Sequence, residues 1–520
     1  MTKPFAPTRE EESPDAAVTT VRRSGWQTAS LVALTFAVCL LRLFVLPHTP
    51  LLLWGDALGF AIKGVRMLSG ELPYRDFFEF LTPGTDLFYA LLFRCFGVSL
   101  WAMHLTMALL LAVSAWWLTW CAGRLVRGWF VVLPAALLLG LVLNFSLDPT
   151  HHWFSIVALM GAAWLLFDGD SLGRATAAGA FCGLAASFTQ TEGAAAVIAL
   201  CAYFLWRAVR ENDRTGQWWR RSLVLCASAL GIFLIINGPF ILVSGPRRWT
   251  WDVIVFPMRY FGSVPNNQWT DALTQFFIAE GMLKWICFPF LYLAVPLTYI
   301  WFFVRLRQAG KSPHEPWNQL VLVAAIGMAM LAAVAAAISI RRIAIASPPA
   351  MLLLTWLLYQ SRRARFAVAL GSVSAAVAMA GIAAVQLRPE RFLNLPVGRV
   401  AIPPRADYYD IYRWMAENTK PGQWYFGLHP LPLALKLRFA TPVSQMTPGE
   451  YTRPEQVTEI VDGIDRRRVP VIVLRPRMYS PSELNGLPDH LQPFRDYLYL
   501  HYDKVKSFPS GDEIWVRRGN

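Results

Sequence analysis

The sequence predicts an α-helical multi-span membrane protein that ends in a small α/β domain. The chain has 520 residues, of which 55% are hydrophobic, and this fraction is too high for an ordinary soluble protein. About eleven apolar segments, each near the roughly twenty residues that cross a bilayer, follow one another between Gln27 and Leu387. After Arg388 shorter amphipathic and β-branched runs alternate along the chain, which is typical of an α/β domain.

The distribution of basic residues predicts the orientation of the spans. Arg22 and Arg23 precede the first span, and further Lys and Arg residues cluster in loops on the same predicted side. Because such loops stay in the cytoplasm, we expect a cytoplasmic N-terminus and, with an odd number of spans, an extracytoplasmic C-terminus. The net charge of +14 reflects this bias, so we expect the lipid bilayer and no nucleic acid as a partner. The expected location is the inner (plasma) membrane.

These features divide the chain into three parts. Residues 1–25 are polar and contain Pro, which predicts a disordered cytoplasmic tail. Residues 26–387 are expected to form the transmembrane domain, with a charged outer loop at 47–99. Residues 388–520 are expected to form the extracytoplasmic α/β domain. Within that domain the patterns predict helices near 408–418, 454–467 and 491–500, and strands near 423–426, 469–474, 504–508 and 513–516.

The outer loop contains the features that point to a site. Its acidic residues cannot lie in hydrocarbon, so the loop is expected at a membrane surface. Asp56 precedes an amphipathic pattern that ends before Gly70, which predicts a helix lying in the interface with Lys63 and Arg66 toward headgroups or a phosphate. A turn at Pro73–Asp76 and the segment Phe78–Gly84 follow.

The order of these features resembles the first extracytoplasmic loop of the GT-C polyprenyl-phosphate-sugar glycosyltransferases. That superfamily includes the dolichyl-phosphate-mannose protein mannosyltransferases and the bacterial aminoarabinose transferases of lipid A. In the family the Asp after the first span is the catalytic carboxylate, and it matches Asp56. The acidic residue of the family's aromatic-Glu-x-Pro-Pro-Gly segment matches Glu79, with Thr82 in place of the first Pro. The resemblance thus implies Asp56 and Glu79 as catalytic residues.

Each of these carboxylates also has a simpler interpretation. Asp56 would serve as the N-cap of the following helix, because Asp accepts hydrogen bonds from the free amides of a first turn. Glu79 would be an interfacial acid that faces water. In the alternative, functional interpretation, Glu79 binds a metal ion or supports the catalytic carboxylate. No cofactor is certain, and a divalent metal ion with Glu79 as a ligand stays open.

Further residues are predicted to bind the substrate. Arg341 and Arg342 break the positive-inside pattern, so they either anchor a span or hold the donor phosphate, for which Arg is well shaped. Each of the others could equally be a turn residue, an ion-pair partner or a polar interfacial group. These alternates are Lys63, Arg66, Arg75, Asp76, His151 and His152.

The resemblance implies an integral-membrane glycosyltransferase. It would move a sugar from a polyprenyl-phosphate donor to an extracytoplasmic acceptor, such as lipid A, another glycolipid or a protein. One base for the acceptor hydroxyl suffices for an inverting single displacement, whereas a retaining route would need a second carboxylate as nucleophile. A transporter or lipid flippase is the alternative, and it would be expected to bury ionisable residues in mid-span. A third hypothesis is that the protein is a non-catalytic member of the family whose C-terminal domain binds a partner.

Overall fold

The computed structural model shows a bundle of apolar helices with a sheet-containing region at one end. The described residues are 25–52, 55–145, 147–213, 215–263, 269–278, 283–309, 316–388, 391–402, 406–428, 430–444, 446–480 and 489–519. The predicted disordered tail, residues 1–25, lies almost entirely outside these ranges. The outer loop that was predicted from Ser244 to Gly281 lies partly outside them.

The chain up to Ser244 contains nine α-helices within the described ranges. A short antiparallel hairpin, β1 (Phe44–Val45) with β2 (Thr49–Pro50), separates the first two helices. A π-helical turn, Leu138–Val142, extends the fifth. The helices are α1 (Gly25–Leu43), α2 (Asp56–Leu68), α3 (Gly84–Phe96), α4 (Leu100–Leu125), α5 (Leu133–Leu137), α6 (His151–Phe167), α7 (Leu172–Phe188), α8 (Gln190–Glu211) and α9 (Gln217–Ser244).

The next helices complete the bundle. π-helical turns at Trp251–Val255, Leu283–Cys287 and Phe290–Ala294 connect some of them. The helices are α10 (Pro246–Thr250), α11 (Phe256–Tyr260), α12 (Trp269–Ile278), α13 (Val295–Gln308), α14 (Trp317–Val334), α15 (Ile340–Ala346), α16 (Pro348–Gln360) and α17 (Ala364–Gln386).

A helical segment lies at the position of each predicted span. Within the described residues, six helices are long and apolar enough to cross a membrane, and α15 with α16, which meet at 61°, would form a seventh, broken span. Three further apolar segments are shorter, and they lie in α1, in α5 with its π-helical turn, and in α6. The protein is therefore a multi-span membrane protein as predicted, and the count of about eleven spans stays a prediction.

Two glycines of α7 allow a close contact with α9. A Cβ atom on Gly179 would lie 2.3 Å from the carbonyl oxygen of Leu225, and one on Gly183 would lie 2.3 Å from that of Ala229. Small residues four apart on one helix face let two backbones approach in this way. The sequence of α7 thereby determines how closely α9 packs against it.

The C-terminal region is a small α/β unit, as predicted. Its elements are β3 (Arg391–Leu395), β4 (Gly398–Ile402), α18 (Ala406–Asn418), β5 (Trp424–Gly427), α19 (Pro430–Leu435), β6 (Arg438–Phe439), α20 (Pro454–Arg466), β7 (Val471–Leu474), α21 (Pro476–Tyr479), α22 (Gln492–His501), β8 (Tyr502–Ser507) and β9 (Glu513–Arg517). The strands β3 and β4 form a hairpin. The other five strands form one sheet in the order β6-β5-β7-β9-β8, in which β5 is parallel to β6 and β7, and β9 is antiparallel to β7 and β8.

The first loop and the C-terminal unit share one hydrophobic core. Leu58, Ile62 and Phe93 of α2 and α3 belong to the same buried cluster as Tyr412 and Leu433 of the C-terminal unit. The amide of Leu52 also donates to the carbonyl of Ala401 over 2.8 Å. The apolar face of α2 thus packs against protein, and the location of the helix in the membrane interface stays a prediction. The helix is buried between α3 and the C-terminal unit because both cover its apolar residues.

Candidate active site

Asp56 is the first residue of α2, and its side chain is exposed. Gly55, which has no side chain to accept a hydrogen bond, occupies the N-cap position, and the Asp148 carboxylate accepts a hydrogen bond from the amide of Ala57. The simpler interpretation of Asp56 as the N-cap is therefore wrong. Its carboxylate makes no hydrogen bond or ion pair with any described residue, so it remains available to a ligand. A negative charge in a first helical turn is also favoured by the helix dipole.

Asp148, in the segment before α6, lies beside Asp56. A Cβ atom on Gly55 would lie 2.2 Å from Oδ2 of Asp148, so the absence of a side chain at Gly55 allows this approach. Burial, followed by the negative charge of Asp56, raises the pKa of Asp148 from 3.8 to about 6, although the charge of Arg341 opposes the shift. The sequence placed Asp148 only next to the two histidines and did not indicate its proximity to Asp56.

Arg341 and Arg342 bring positive charge to these acids. They lie in the first turn of α15, whose cap Ser339 accepts a hydrogen bond from the amide of Arg342 over 3.4 Å. The sequence placed them at the end of the ninth span, but α14 ends earlier, at Val334. The charge of Arg341 acts on Asp148, and that of Arg342 acts on Asp56 and Glu192. Nη1 of Arg342 donates to the carbonyl of Ala337 over 2.5 Å.

Lys63 and Glu79 form a buried ion pair beneath this region. The Glu79 side chain is only 1% exposed, and its Oε2 binds the ammonium group of Lys63. Its Oε1 accepts hydrogen bonds from the amides of Phe80, over 2.9 Å, and Leu81, over 3.0 Å. Burial alone would lower the pKa of Lys63, but the charges of Glu79, Asp86 and Asp56 and the hydrogen bond to Glu79 outweigh it and raise that pKa.

Asp86, in the first turn of α3, completes this cluster. It is buried, and its carboxyl group lies against that of Glu79. Burial and the charge of Glu79 raise the pKa of Asp86 well above its ordinary value, against the lowering effect of Lys63. Two neighbouring carboxyl groups with one ammonium partner are most stable when one of them keeps its proton. We therefore expect Asp86 to be the neutral member.

Glu79 thus has protein partners for both of its oxygens. Among the described residues, no group of three His, Cys, Asp or Glu side chains is placed to hold a metal ion. The catalytic and metal-binding roles of Glu79 stay predictions. What the structure adds is that Glu79 orients Lys63 and the turn that leads to Thr82.

His151 and His152 lie at the start of α6, near the acids. Nδ1 of His152 bonds to Oε1 of Glu192 over 2.5 Å, and the two imidazole rings are 3.9 Å apart. The structure thereby adds Glu192, at the start of α8, to this polar group. Nδ1 of His151 has no hydrogen-bond partner among the described residues. Substrate binding by these histidines stays a prediction.

Arg66, Arg75 and Asp76 have structural partners elsewhere in the loop. The guanidinium group of Arg66 bonds to Glu71 over 2.7 Å and to the carbonyl of Thr441 over 3.1 Å. Arg75 pairs with its neighbour Asp76, whose Oδ2 also accepts from the amide of Leu72 over 2.8 Å. These contacts hold the loop together, and the predicted substrate-binding roles remain untested.

An aromatic wall, which sequence reasoning missed, borders the same region. It consists of Phe80, Phe256, Phe261 and Tyr451. The ring of Tyr451 lies 6.2 Å from that of Phe80 and 5.2 Å from that of Phe256. Phe80 also lies 5.6 Å from Phe261, above which the guanidinium carbon of Arg342 sits at 5.4 Å. No local pattern marks Tyr451, because it comes from the C-terminal unit.

The fold is similar to those of solved proteins, among them ArnT and AglB. ArnT from Cupriavidus metallidurans, solved with bound undecaprenyl phosphate, gives a TM-score of 0.56 at 14% sequence identity, with 96% of this chain and 99% of ArnT covered. The chain has the GT-C fold. The oligosaccharyltransferase AglB from Archaeoglobus fulgidus, solved with an inhibitory peptide and a dolichol-phosphate, gives a TM-score of 0.50 at 14% identity, with 95% of this chain and 74% of AglB covered.

The GT-C assignment concerns the fold, since no protein-family model and no curated protein sequence matches the chain. It confirms the predicted resemblance and the predicted fold class. In this fold, Asp56 lies where the first loop meets the helical bundle, beside Asp148 and the arginine pair.

Proposed function

We propose that this GT-C protein transfers a sugar from a polyprenyl-phosphate carrier to an acceptor on the extracytoplasmic side of the membrane. The observation that carries the proposal is the unpartnered carboxylate of Asp56, exposed at the end of the bundle and surrounded by Asp148, Arg341 and Arg342. A base and a group of cations are what the transfer of a sugar from a phosphate requires. The acceptor would be lipid A, another glycolipid or a protein.

In the proposed reaction Asp56 acts as the general base. It takes the proton of the acceptor hydroxyl while the hydroxyl oxygen attacks the anomeric carbon of the donor sugar. The bond from that carbon to the phosphate oxygen breaks, and the polyprenyl phosphate leaves with the electron pair. Because this is one displacement, the configuration inverts. A retaining route would need a nucleophilic carboxylate, and Asp148, packed against Gly55, is less free to take that role than Asp56.

The leaving phosphate is proposed to bind Arg341 and Arg342. Guanidinium groups match phosphate oxygens with two parallel hydrogen bonds, and Arg341 is exposed. Lys63 is a weaker candidate because its ammonium group is already paired with Glu79. Both ArnT and AglB were solved with a polyprenyl phosphate, which supports this class of donor. The Ala variant of either arginine is then expected to raise the KM for the donor.

The test is the transfer of a labelled sugar from polyprenyl phosphate by the purified, full-length protein in lipid nanodiscs. Asp56→Asn should lower the rate by roughly 10²- to 10⁴-fold, as expected when a positioned general base is lost. The melting temperature should change little, because Asp56 makes no hydrogen bond or ion pair with a described residue that Asn would break. Asp496→Asn, at an exposed position on α22, is the matched control and should retain full activity.

Two results would contradict the proposal. A folded Asp56→Asn variant with the activity of the wild type would remove the general base. A wild-type protein that moves labelled lipid across the bilayer without transferring a sugar would instead favour the flippase alternative.

A further inference from the structure

Among the described residues, the C-terminal unit reaches into the candidate active site through residues 441–444 and 446–453. The carbonyl of Pro442 accepts a hydrogen bond from the amide of Phe78 over 3.1 Å. The carbonyl of Thr441 accepts one from Arg66 over 3.1 Å. At its other end, the guanidinium carbon of Arg453 lies 4.6 Å from the ring of Tyr260. The segment is therefore fixed to the first loop and to α11 on either side of Tyr451.

Tyr451 lies between two phenylalanines of the aromatic wall. Its ring is edge-on to Phe80, at an interplanar angle of 90°, and to Phe256, at 81°. The main chain of Phe80 is held in turn by Gln190, whose Nε2 donates to the Phe80 carbonyl over 3.1 Å and to that of Val253 over 3.2 Å. The wall is thus built from three parts of the chain: the first loop, the segment around α11 and the C-terminal unit.

The wall faces the charges of the site. Phe80 directly follows Glu79, and Phe261 packs against Arg342. Burial and then the negative charges of Glu79 and Asp56 raise the pKa of Tyr451, so its hydroxyl group is protonated at neutral pH and lies within the field of the proposed base. That hydroxyl group makes no hydrogen bond to any described residue. It can therefore both donate and accept a hydrogen bond toward a ligand.

We propose that Tyr451 is a sugar-binding residue of the active site, contributed by the C-terminal unit. Its ring, together with Phe80, would pack against the apolar face of a sugar ring beside Asp56, and its hydroxyl group would bond to a sugar hydroxyl. Aromatic rings with one polar end are suited to such half-apolar ligands. The inference rests on the proposed glycosyl transfer, in which both the donor sugar and the accepting group meet at Asp56.

The experiment compares two variants at this position in the full-length protein. Tyr451→Phe keeps the ring and its packing and removes the hydroxyl group. Tyr451→Leu removes the aromatic surface as well. Tyr499→Leu is the control, because Tyr499 lies on α22 and is half exposed. The KM and kcat are measured for donor and acceptor separately, and the affinity for polyprenyl phosphate without a sugar is measured by titration.

The expected result is a rise in KM for one of the two substrates, roughly threefold to tenfold in Tyr451→Phe from the lost hydrogen bond. In Tyr451→Leu the rise should reach roughly tenfold or more. If KM rises for the donor alone, the aromatic wall binds the donor sugar. If KM rises for the acceptor alone, the wall binds the acceptor. Binding of the bare polyprenyl phosphate should stay unchanged in both variants.

Other results overturn the inference. If the wild type is active and both folded variants, Tyr451→Phe and Tyr451→Leu, have unchanged KM values for donor and acceptor, Tyr451 does not bind the sugar. The proposed function would then stay intact. Weakened binding of the bare carrier, to the same degree as the donor, would make Tyr451 a lipid contact. A wild type that transfers no sugar would overturn the proposed function and this inference together.

Discussion

Asp148 illustrates how one residue couples the site to pH. Its pKa in the folded protein is raised from 3.8 to about 6, so the folded state holds this proton more tightly than the unfolded state. Between these two values the contribution of Asp148 to stability is lost as the pH rises. Asp148→Asn removes the titrating group and keeps a side-chain oxygen that can accept the Ala57 amide.

We therefore expect the melting temperature of Asp148→Asn, relative to the wild type, to increase between pH 4 and pH 7. Thermal unfolding of both proteins in the same buffers measures this difference. A difference that does not depend on pH would mean that Asp148 titrates normally in the folded protein.

The buried cluster of Lys63, Glu79 and Asp86 makes a second prediction for single residues. Because Asp86 is expected to be neutral, Asp86→Asn should leave the melting temperature near that of the wild type. Lys63→Met should destabilise the protein by roughly 3–5 kcal/mol, since it leaves the buried carboxylate of Glu79 without a cation. Unfolding of both variants at pH 7 provides the comparison. A strongly destabilised Asp86→Asn variant would show that Asp86 is ionised.

Among the elements, the packing of α7 against α9 depends on two glycines. Gly183→Ala places a methyl group 2.3 Å from a backbone oxygen of α9, so the helices must separate. Overpacking of this kind typically costs about 1–3 kcal/mol. Gly231→Ala, on α9, is the control because a Cβ atom there meets nothing within 4 Å. The melting temperature should fall in Gly183→Ala alone. An equal effect in both variants would point to the backbone of the helices instead of their contact.

At the scale of the whole molecule, the shared core places the first loop and the C-terminal unit at the same end of the bundle. With the N-terminus proposed to be cytoplasmic, a reporter fused at Asn520 should be active on the extracytoplasmic side of the membrane. A second fusion at the N-terminus should report from the cytoplasm. Reporter activity at Asn520 in the cytoplasm would put Tyr451 and Asp56 on the wrong side for an extracytoplasmic acceptor.

Local patterns in the sequence were enough to predict most of the elements. Most of the apolar segments, the helix after Asp56 and the elements of the C-terminal unit beyond Tyr408 lie within a few residues of their predicted bounds, because periodicity and length depend on neighbouring residues. The hairpin β3–β4 and the short elements α19, β6 and α21 were not predicted, since each is a brief segment that distant partners stabilise.

The sequence by itself also determined which residue to consider first, since Asp56 follows the first span in an order that resembles the GT-C loop. Only the tertiary structure decided what surrounds it. Asp148 approaches Asp56 because Gly55 has no side chain, Lys63 turns toward Glu79 instead of the headgroups because α2 is covered by the C-terminal unit, and Tyr451 reaches the site from that same unit. These contacts join segments that are far apart in the chain, and their strength comes from burial and low local dielectric, which no short stretch of residues specifies.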